Sequence, residues 1–239
     1  MERKFNALVL KSADYRENDK ILTLLTPENG RITAVIKGVK KAGAKLKFAA
    51  QPFCFAEYVL AERGGRYTVT GASECESFYD LRTDVNRLYA ASAATEAASA
   101  LSFEGDECAE MFSELVKTLS AICVGSEAVA LIKFLVFALR KSGYGLASEN
   151  CIECGKQLFD ERKLRFDMDA GAFTCWDCGN GAGVSRVTYN VLRKTDGKSY
   201  REEFITADGE KRALKLLKEY YSYKLGETFK SLSEYIRLL

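Results

Sequence analysis

Two Cys-X-X-Cys pairs, CIEC at 151–154 and CWDC at 175–178, stand 20 residues apart and constrain this 239-residue chain more than any other feature. Two residues between ligands let one turn of backbone carry both sulfurs to a single metal. Each pair then supplies half of a tetrahedron, and the segment between must fold back on itself. Cys151, Cys154, Cys175 and Cys178 are therefore expected to bind one zinc ion as a closed four-thiolate site. A redox disulfide, an iron–sulfur cluster and plain buried thiols are the competing readings, although a redox pair has no need of a twin. Four protein ligands leave no open coordination position, so the ion is expected to hold structure and not to activate water. Gly155 and Gly179 follow the second cysteine of each pair, and Leu164 to Phe173 can form a small hairpin around Asp169-Ala170-Gly171. Only Lys156 is basic within two residues of either pair, while Glu153 and Asp177 lie between ligands. The site thus reads as a clip between helices and not as a reader of bases.

The opening MERKFNALVLK lacks the long apolar block of an export signal. The most apolar helix candidate, Ala128 to Leu139, carries Lys133 and is shorter than the roughly 20 residues a membrane span needs. A cytoplasmic location with reduced cysteines is expected, which favours metal ligands over disulfides. The absence of histidine removes Ser-His and Cys-His nucleophile systems and His-containing zinc hydrolase sites. Gly38 to Gly43 has the glycine spacing of a P-loop, but Ala44-Lys45 follow where Lys and then Ser or Thr are required, so no nucleotide cofactor is expected. Cys54, Cys75, Cys108 and Cys123 read as small core residues. With no paired carboxylates to suggest acid–base work, the chain is not expected to be an enzyme.

Up to about residue 80 the apolar residues alternate. Ile32, Ala34 and Ile36 share one face of Arg31 to Lys37, and Pro27-Glu28-Asn29-Gly30 is turn chemistry joining it to Lys20 to Thr26. Phe5 to Lys11, Pro52 to Ala61 and Arg66 to Thr70 supply three more strands, and five short strands suggest a small barrel such as the OB-fold. From Leu81 the spacing is helical: Asp84 to Leu101, Asp106 to Val124, Glu127 to Lys141, then helices capped by Ser185 and Asp208, the last ending at Gly226. The expected fold is multi-domain α+β: an N-terminal OB-fold β-barrel over 1–80, then an all-helical domain over 81–239 carrying a four-cysteine zinc knuckle at about 148–182.

Net charge is only +2, so the extremes are local. No acidic residue falls between Glu28 and Glu57, where Arg31, Lys37, Lys40, Lys41, Lys45 and Lys47 lie. Gly38 and Gly43 loosen that segment, so its lysines can follow a phosphate backbone and release counterions. The competing reading is a solvated loop with lysines guarding a sheet edge. Tyr15, Tyr58 and Tyr67 are candidate stacking platforms for single strands.

With both features placed, the sequence resembles the RecO family of bacterial recombination mediators over nearly its whole length. The resemblance rests on ALVLKSADYRENDKILTLLTPENGRITAVIKGVKK, on QPF at 51–53, and on GYG followed by CIECGK and CWDC. It implies an OB-fold, a helical domain with the zinc knuckle, and no enzymatic activity. Family members bind single- and double-stranded DNA and anneal complementary strands. They act with RecR to load RecA onto DNA coated by single-stranded-DNA-binding protein, whose acidic C-terminal tail the helical domain grips. Carried onto this chain, the DNA contacts fall on Arg31, Lys37, Lys40, Lys41, Lys45 and Lys47, in a cytoplasmic, nucleoid-associated protein. Arg140 and Lys141 offer cations for the tail, although a solvated helix end favoured by the dipole explains them equally. The chain departs from the family at Phe134-Leu135-Val136-Phe137, which is apolar throughout. The alternative is a zinc-ribbon regulatory or RNA-binding protein with an OB module.

Overall fold

The computed structural model describes residues 2–239. Five strands close into a barrel: β1 (Glu2–Tyr15), β2 (Asp19–Thr26), β3 (Gly30–Ile36), β4 (Phe55–Arg63) and β5 (Arg66–Glu76). Around the barrel the order is β1-β2-β3-β5-β4, with β1 pairing both β2 and β4 and with β3 and β5 parallel. This is the OB topology expected from the alternation. Phe5, Ala7 and Val9 of β1, Leu22 and Leu24 of β2, and Ile32, Ala34 and Ile36 of β3 fill the interior.

Leu8 and Leu25 face the other way, as cross-strand partners on the outside of the barrel, yet both are fully buried. Helices α1 (Val85–Ala100) and α2 (Ala109–Cys123) pack on β1 and β2 and cover them. Asp84 caps α1 by accepting the Arg87 N–H. The α1–α2 connection also clasps the tip of the β2–β3 hairpin. Gly105 N–H donates to the Asn29 carbonyl at 3.0 Å, Cys108 N–H to Pro27 at 2.7 Å, and Arg31 N–H to Phe103 at 3.2 Å. The change from strands to helices falls between Glu76 and Val85, whereas the first compact unit runs on to Gly125 because these helices complete its packing.

The second unit, Ser126–Leu239, holds α3 (Glu127–Lys141), α4 (Arg186–Thr195), α5 (Ala207–Leu225) and α6 (Lys230–Leu238). It is not all helix. The cysteine segment forms a three-stranded sheet, β7-β6-β8, from β6 (Leu164–Asp167), β7 (Ala172–Cys175) and β8 (Ala182–Val184). The expected hairpin is β6–β7, and β8 is an addition. Ser185 caps α4 as expected, but Thr206 caps α5 in place of Asp208, which falls in the first turn. Buried Tyr221 donates its hydroxyl to the Leu135 carbonyl of α3 at 2.9 Å, so its burial leaves no unpaired polar atom. Phe134, Leu135 and Val136 are core residues of α3. Among the described residues no helix is long and apolar enough to cross a membrane.

Candidate metal centre and nucleic-acid face

Turn geometry brings the cysteine sulfurs together. Gly155, at φ +74°, lets the chain reverse so that its N–H donates to the Cys151 carbonyl at 2.8 Å, while Cys151 N–H donates to Lys156. Gly179 is needed for room: a Cβ there would sit 1.9 Å from Thr174 Oγ1. Cys151 and Cys175 are buried, Cys154 and Cys178 exposed. All four Sγ atoms lie within 4.8 Å of one another, and Cys154 and Cys175 are 3.8 Å apart. For metal–sulfur bonds of about 2.3 Å a tetrahedron has edges of about 3.8 Å, so the spacing fits a single ion.

Electrostatics point the same way. Burial pushes the Cys151 thiol up, but backbone hydrogen bonds at Cys175, Cys154 and Glu153 outweigh it and bring the group down to about 7. Cys178 goes the other way, pushed up to about 12 by hydrogen bonds to the Cys175 and Cys154 sulfurs. Four thiolates this close repel one another unless a cation sits among them. The quartet can therefore hold a metal ion.

On the first unit, the segment after β3 is fastened to the β1–β2 hairpin. Asp19 Oδ1 accepts the Gly38 N–H at 2.8 Å, and Lys40 N–H donates to the Asn18 carbonyl at 3.1 Å. Gly38 takes φ +64° there. Between hairpin and loop opens a cleft of about 430 Å³ lined by Arg16, Glu17, Asn18, Asp19, Lys37, Gly38 and Lys41. Among the described residues the ammonium groups of Lys37, Lys41 and Lys45 meet no hydrogen-bond or ion-pair partner.

The other cations are differently placed. Lys40 pairs with Asp14 at 2.8 Å, and that hydrogen bond holds the Asp14 carboxyl below its ordinary range. Lys47 folds back onto the Ala42 carbonyl at 2.9 Å. Arg31 lies at the far end of β3, about 20 Å from Lys37 along a strand, and its guanidinium donates to the Ser99 carbonyl at the end of α1 at 2.7 Å. The cleft adds Arg16, which the acid-free stretch does not include because Glu17 follows it directly. Its guanidinium lies 5.2 Å from the centroid of the half-exposed Tyr15 ring.

Tyr58 is not a platform: it is buried in the barrel and donates its hydroxyl to the Ala49 carbonyl. Tyr67 packs edge-on against Phe5. Of the four remaining cysteines only Cys54 is fully buried; Cys108 and Cys123 are partly covered, and Cys75 is exposed because it falls at an irregular register of β5. Arg140 pairs with Asp196 at 2.9 Å, and Lys141 is exposed beside it in the last turn of α3.

The family model described as Recombination protein O N terminal matches residues 1–78, and Recombination protein O C terminal matches residues 82–233. The DNA repair protein RecO of Desulforamulus reducens is 35% identical over 195 residues, which is 80% of this chain and 75% of the relative. That of Desulfitobacterium hafniense is 34% identical over 184 residues, 76% of this chain and 67% of its own. The RecO protein of Clostridium perfringens is 30% identical over 190 residues, covering 78% and 76%. Barrel, cysteine quartet and both family models agree, and the chain belongs to the RecO family of DNA repair proteins.

Proposed function

We propose that this chain is a non-catalytic DNA-binding and strand-annealing protein of recombinational repair. It acts in the cytoplasm, at the nucleoid, with RecR to load RecA onto single-stranded DNA coated by single-stranded-DNA-binding protein. The observation that carries the reading is the cleft where Arg16, Lys37 and Lys41 converge on a loop pinned by Asp19 and Asn18. Cations without acidic partners on a fixed backbone suit phosphates, which are bound by charge and position, not by chemistry. Lys45 extends this face; Lys40 joins it by exchanging Asp14 for a phosphate, and Lys47 by releasing the Ala42 carbonyl.

We divide the work at about residue 80: the barrel takes single- and double-stranded DNA, and residues 81–239 take protein partners. Arg140 and Lys141 are the candidate contacts for the acidic tail of single-stranded-DNA-binding protein. The metal is zinc: four thiolates and no oxygen ligand form a soft, closed set, and sulfurs 3.8 Å apart suit one ion better than a cluster, which would spread them. It holds the knuckle folded and takes no part in a reaction.

The test is annealing of two complementary oligonucleotides, one coated with single-stranded-DNA-binding protein. Faster annealing than in buffer is expected, more so with RecR present. Tight oligonucleotide binding without acceleration would instead favour an RNA-binding or regulatory OB protein.

A further inference from the structure

Trp176 is the one tryptophan of the chain. It stands between two metal-ligating cysteines and is 40% exposed. Its indole lies over Arg165 and Gly183, a cross-strand pair of β6 and β8. The Arg165 guanidinium carbon is 4.0 Å from the ring centroid and the Lys163 ammonium 5.5 Å. Arg165 is held in place by donating from Nε to the Trp176 carbonyl at 3.2 Å and from a terminal nitrogen to the Gly181 carbonyl at 3.0 Å. Gly183 supplies a flat seat: a Cβ there would come within 3.3 Å of the ring.

The sequence pattern makes the knuckle look like a clip because its flanks carry almost no positive charge. Folding changes that, since the cations arrive from β6 and the residue before it and not from the cysteine turns. Lys163, the residue just before β6, and Arg165 within it both lie over the ring. Lys156, the one basic neighbour visible in the sequence, is tied to Glu161 at 2.6 Å. An exposed aromatic ring backed by cations is how single-stranded nucleic acids are held without sequence preference: a base stacks on the face that Arg165 does not cover while phosphates meet the charges beside it.

We propose that the knuckle is a second contact for single-stranded DNA, with one base stacked on Trp176 and the flanking phosphates met by Lys163 and Arg165. This rests on the DNA-binding reading above and adds to it a contact in the second unit. The metal then has an indirect part, because the ligands at 175 and 178 fix where the indole lies.

Because Trp176 is the sole tryptophan, its fluorescence in the metal-loaded full chain reports on this contact alone. Oligo(dT) is titrated in, with anisotropy of a labelled oligo(dT) followed in parallel. The expected result is quenching that saturates with the anisotropy. Trp176→Ala weakens binding about tenfold, Trp176→Phe weakens it less, and both keep their metal. Should Trp176→Ala lose metal, Lys163→Gln in the intact protein is expected to weaken binding severalfold and reduce the quenching. An anisotropy rise with no change in fluorescence and with unweakened variants overturns the knuckle contact and leaves DNA binding by the barrel standing. No anisotropy rise overturns the DNA-binding reading itself. Quenching by polyglutamate but not by oligo(dT) overturns the proposal in favour of an acidic peptide.

Discussion

Cys175→Ser is expected to empty the metal site and unfold the knuckle. Cys175 ends β7, is 4% exposed, and its sulfur is 3.8 Å from that of Cys154. Serine leaves three thiolates and a hydroxyl, and structural zinc sites contribute about 10 kcal/mol or more of apparent binding free energy that serves as folding free energy. The loss spreads because the knuckle strands are built into the second unit. Phe166 of β6 packs edge-on against Tyr220 of α5, and Tyr189 of α4 donates its hydroxyl to the Ser148 carbonyl just ahead of the first ligand. The second unit should therefore lose its cooperative thermal transition while the first unit keeps its own, and oligonucleotide binding by the barrel should persist. Metal analysis should read about one zinc per wild-type chain and almost none in the variant. Acid should mimic the substitution, because metal binding requires deprotonated thiols and weakens as pH falls. A wild-type protein that carries iron with a brown chromophore would contradict the zinc assignment. A still-folded, metal-free variant that fails to bind DNA would contradict the separation of roles.

Gly30→Ala is expected to destabilise the first unit by about 3 kcal/mol, through two effects acting at one atom. The residue has φ +61°, and its added Cβ would lie 2.0 Å from the Phe103 carbonyl oxygen. The left-handed conformation alone costs an alanine about 1 kcal/mol. The clash adds more, because the atom it meets is backbone held by the Arg31 N–H at 3.2 Å, and moving it breaks the clasp that joins the hairpin to the α1–α2 connection. Gly64→Ala is the control. Gly64 has φ +58° but nothing within 4 Å of its would-be Cβ, so only the conformational cost applies. Denaturant titrations should place the Gly30 variant about 2 kcal/mol below the Gly64 variant. Equal losses would mean that the clasp carries no stability.

Much of the fold is legible in the sequence, for identifiable reasons. The barrel shows because Ile32, Ala34 and Ile36 carry the period of a half-buried strand, and the gathering of four cysteines that can hold a metal ion shows because two-residue spacing has few other uses. The extent of the first unit is less plain. Its sign is the unbroken run Ala7-Leu8-Val9-Leu10, whose residues are buried on both faces, so that something must cover the outside of β1. Thr206 is hard to pick out as the cap of α5 because Asp208 is an equally good capping type two residues later.

Cations are where sequence reading falls short. Six basic residues in one acid-free stretch look like a single patch, yet Arg31 is engaged by Ser99 and Lys40 by Asp14. Arg16 and Lys163 belong beside residues that are distant in the chain. Charge pairing across a barrel or a small sheet follows register, and register is a property of the fold. The acid at 19 illustrates the point: in a net-charge count it cancels a lysine, whereas in the structure it pins Gly38 and shapes the cleft.

The most direct test of the account is the salt dependence of oligo(dT) binding by the full chain and by its Lys37→Ala, Lys41→Ala double variant. If these two lysines meet phosphates in the cleft, affinity should fall and the slope of log K against log salt should flatten by about 1.4, close to 0.7 for each single-strand phosphate that is no longer neutralised. A double variant with wild-type slope and affinity would contradict the claim that the cleft between hairpin and loop is where this protein holds DNA.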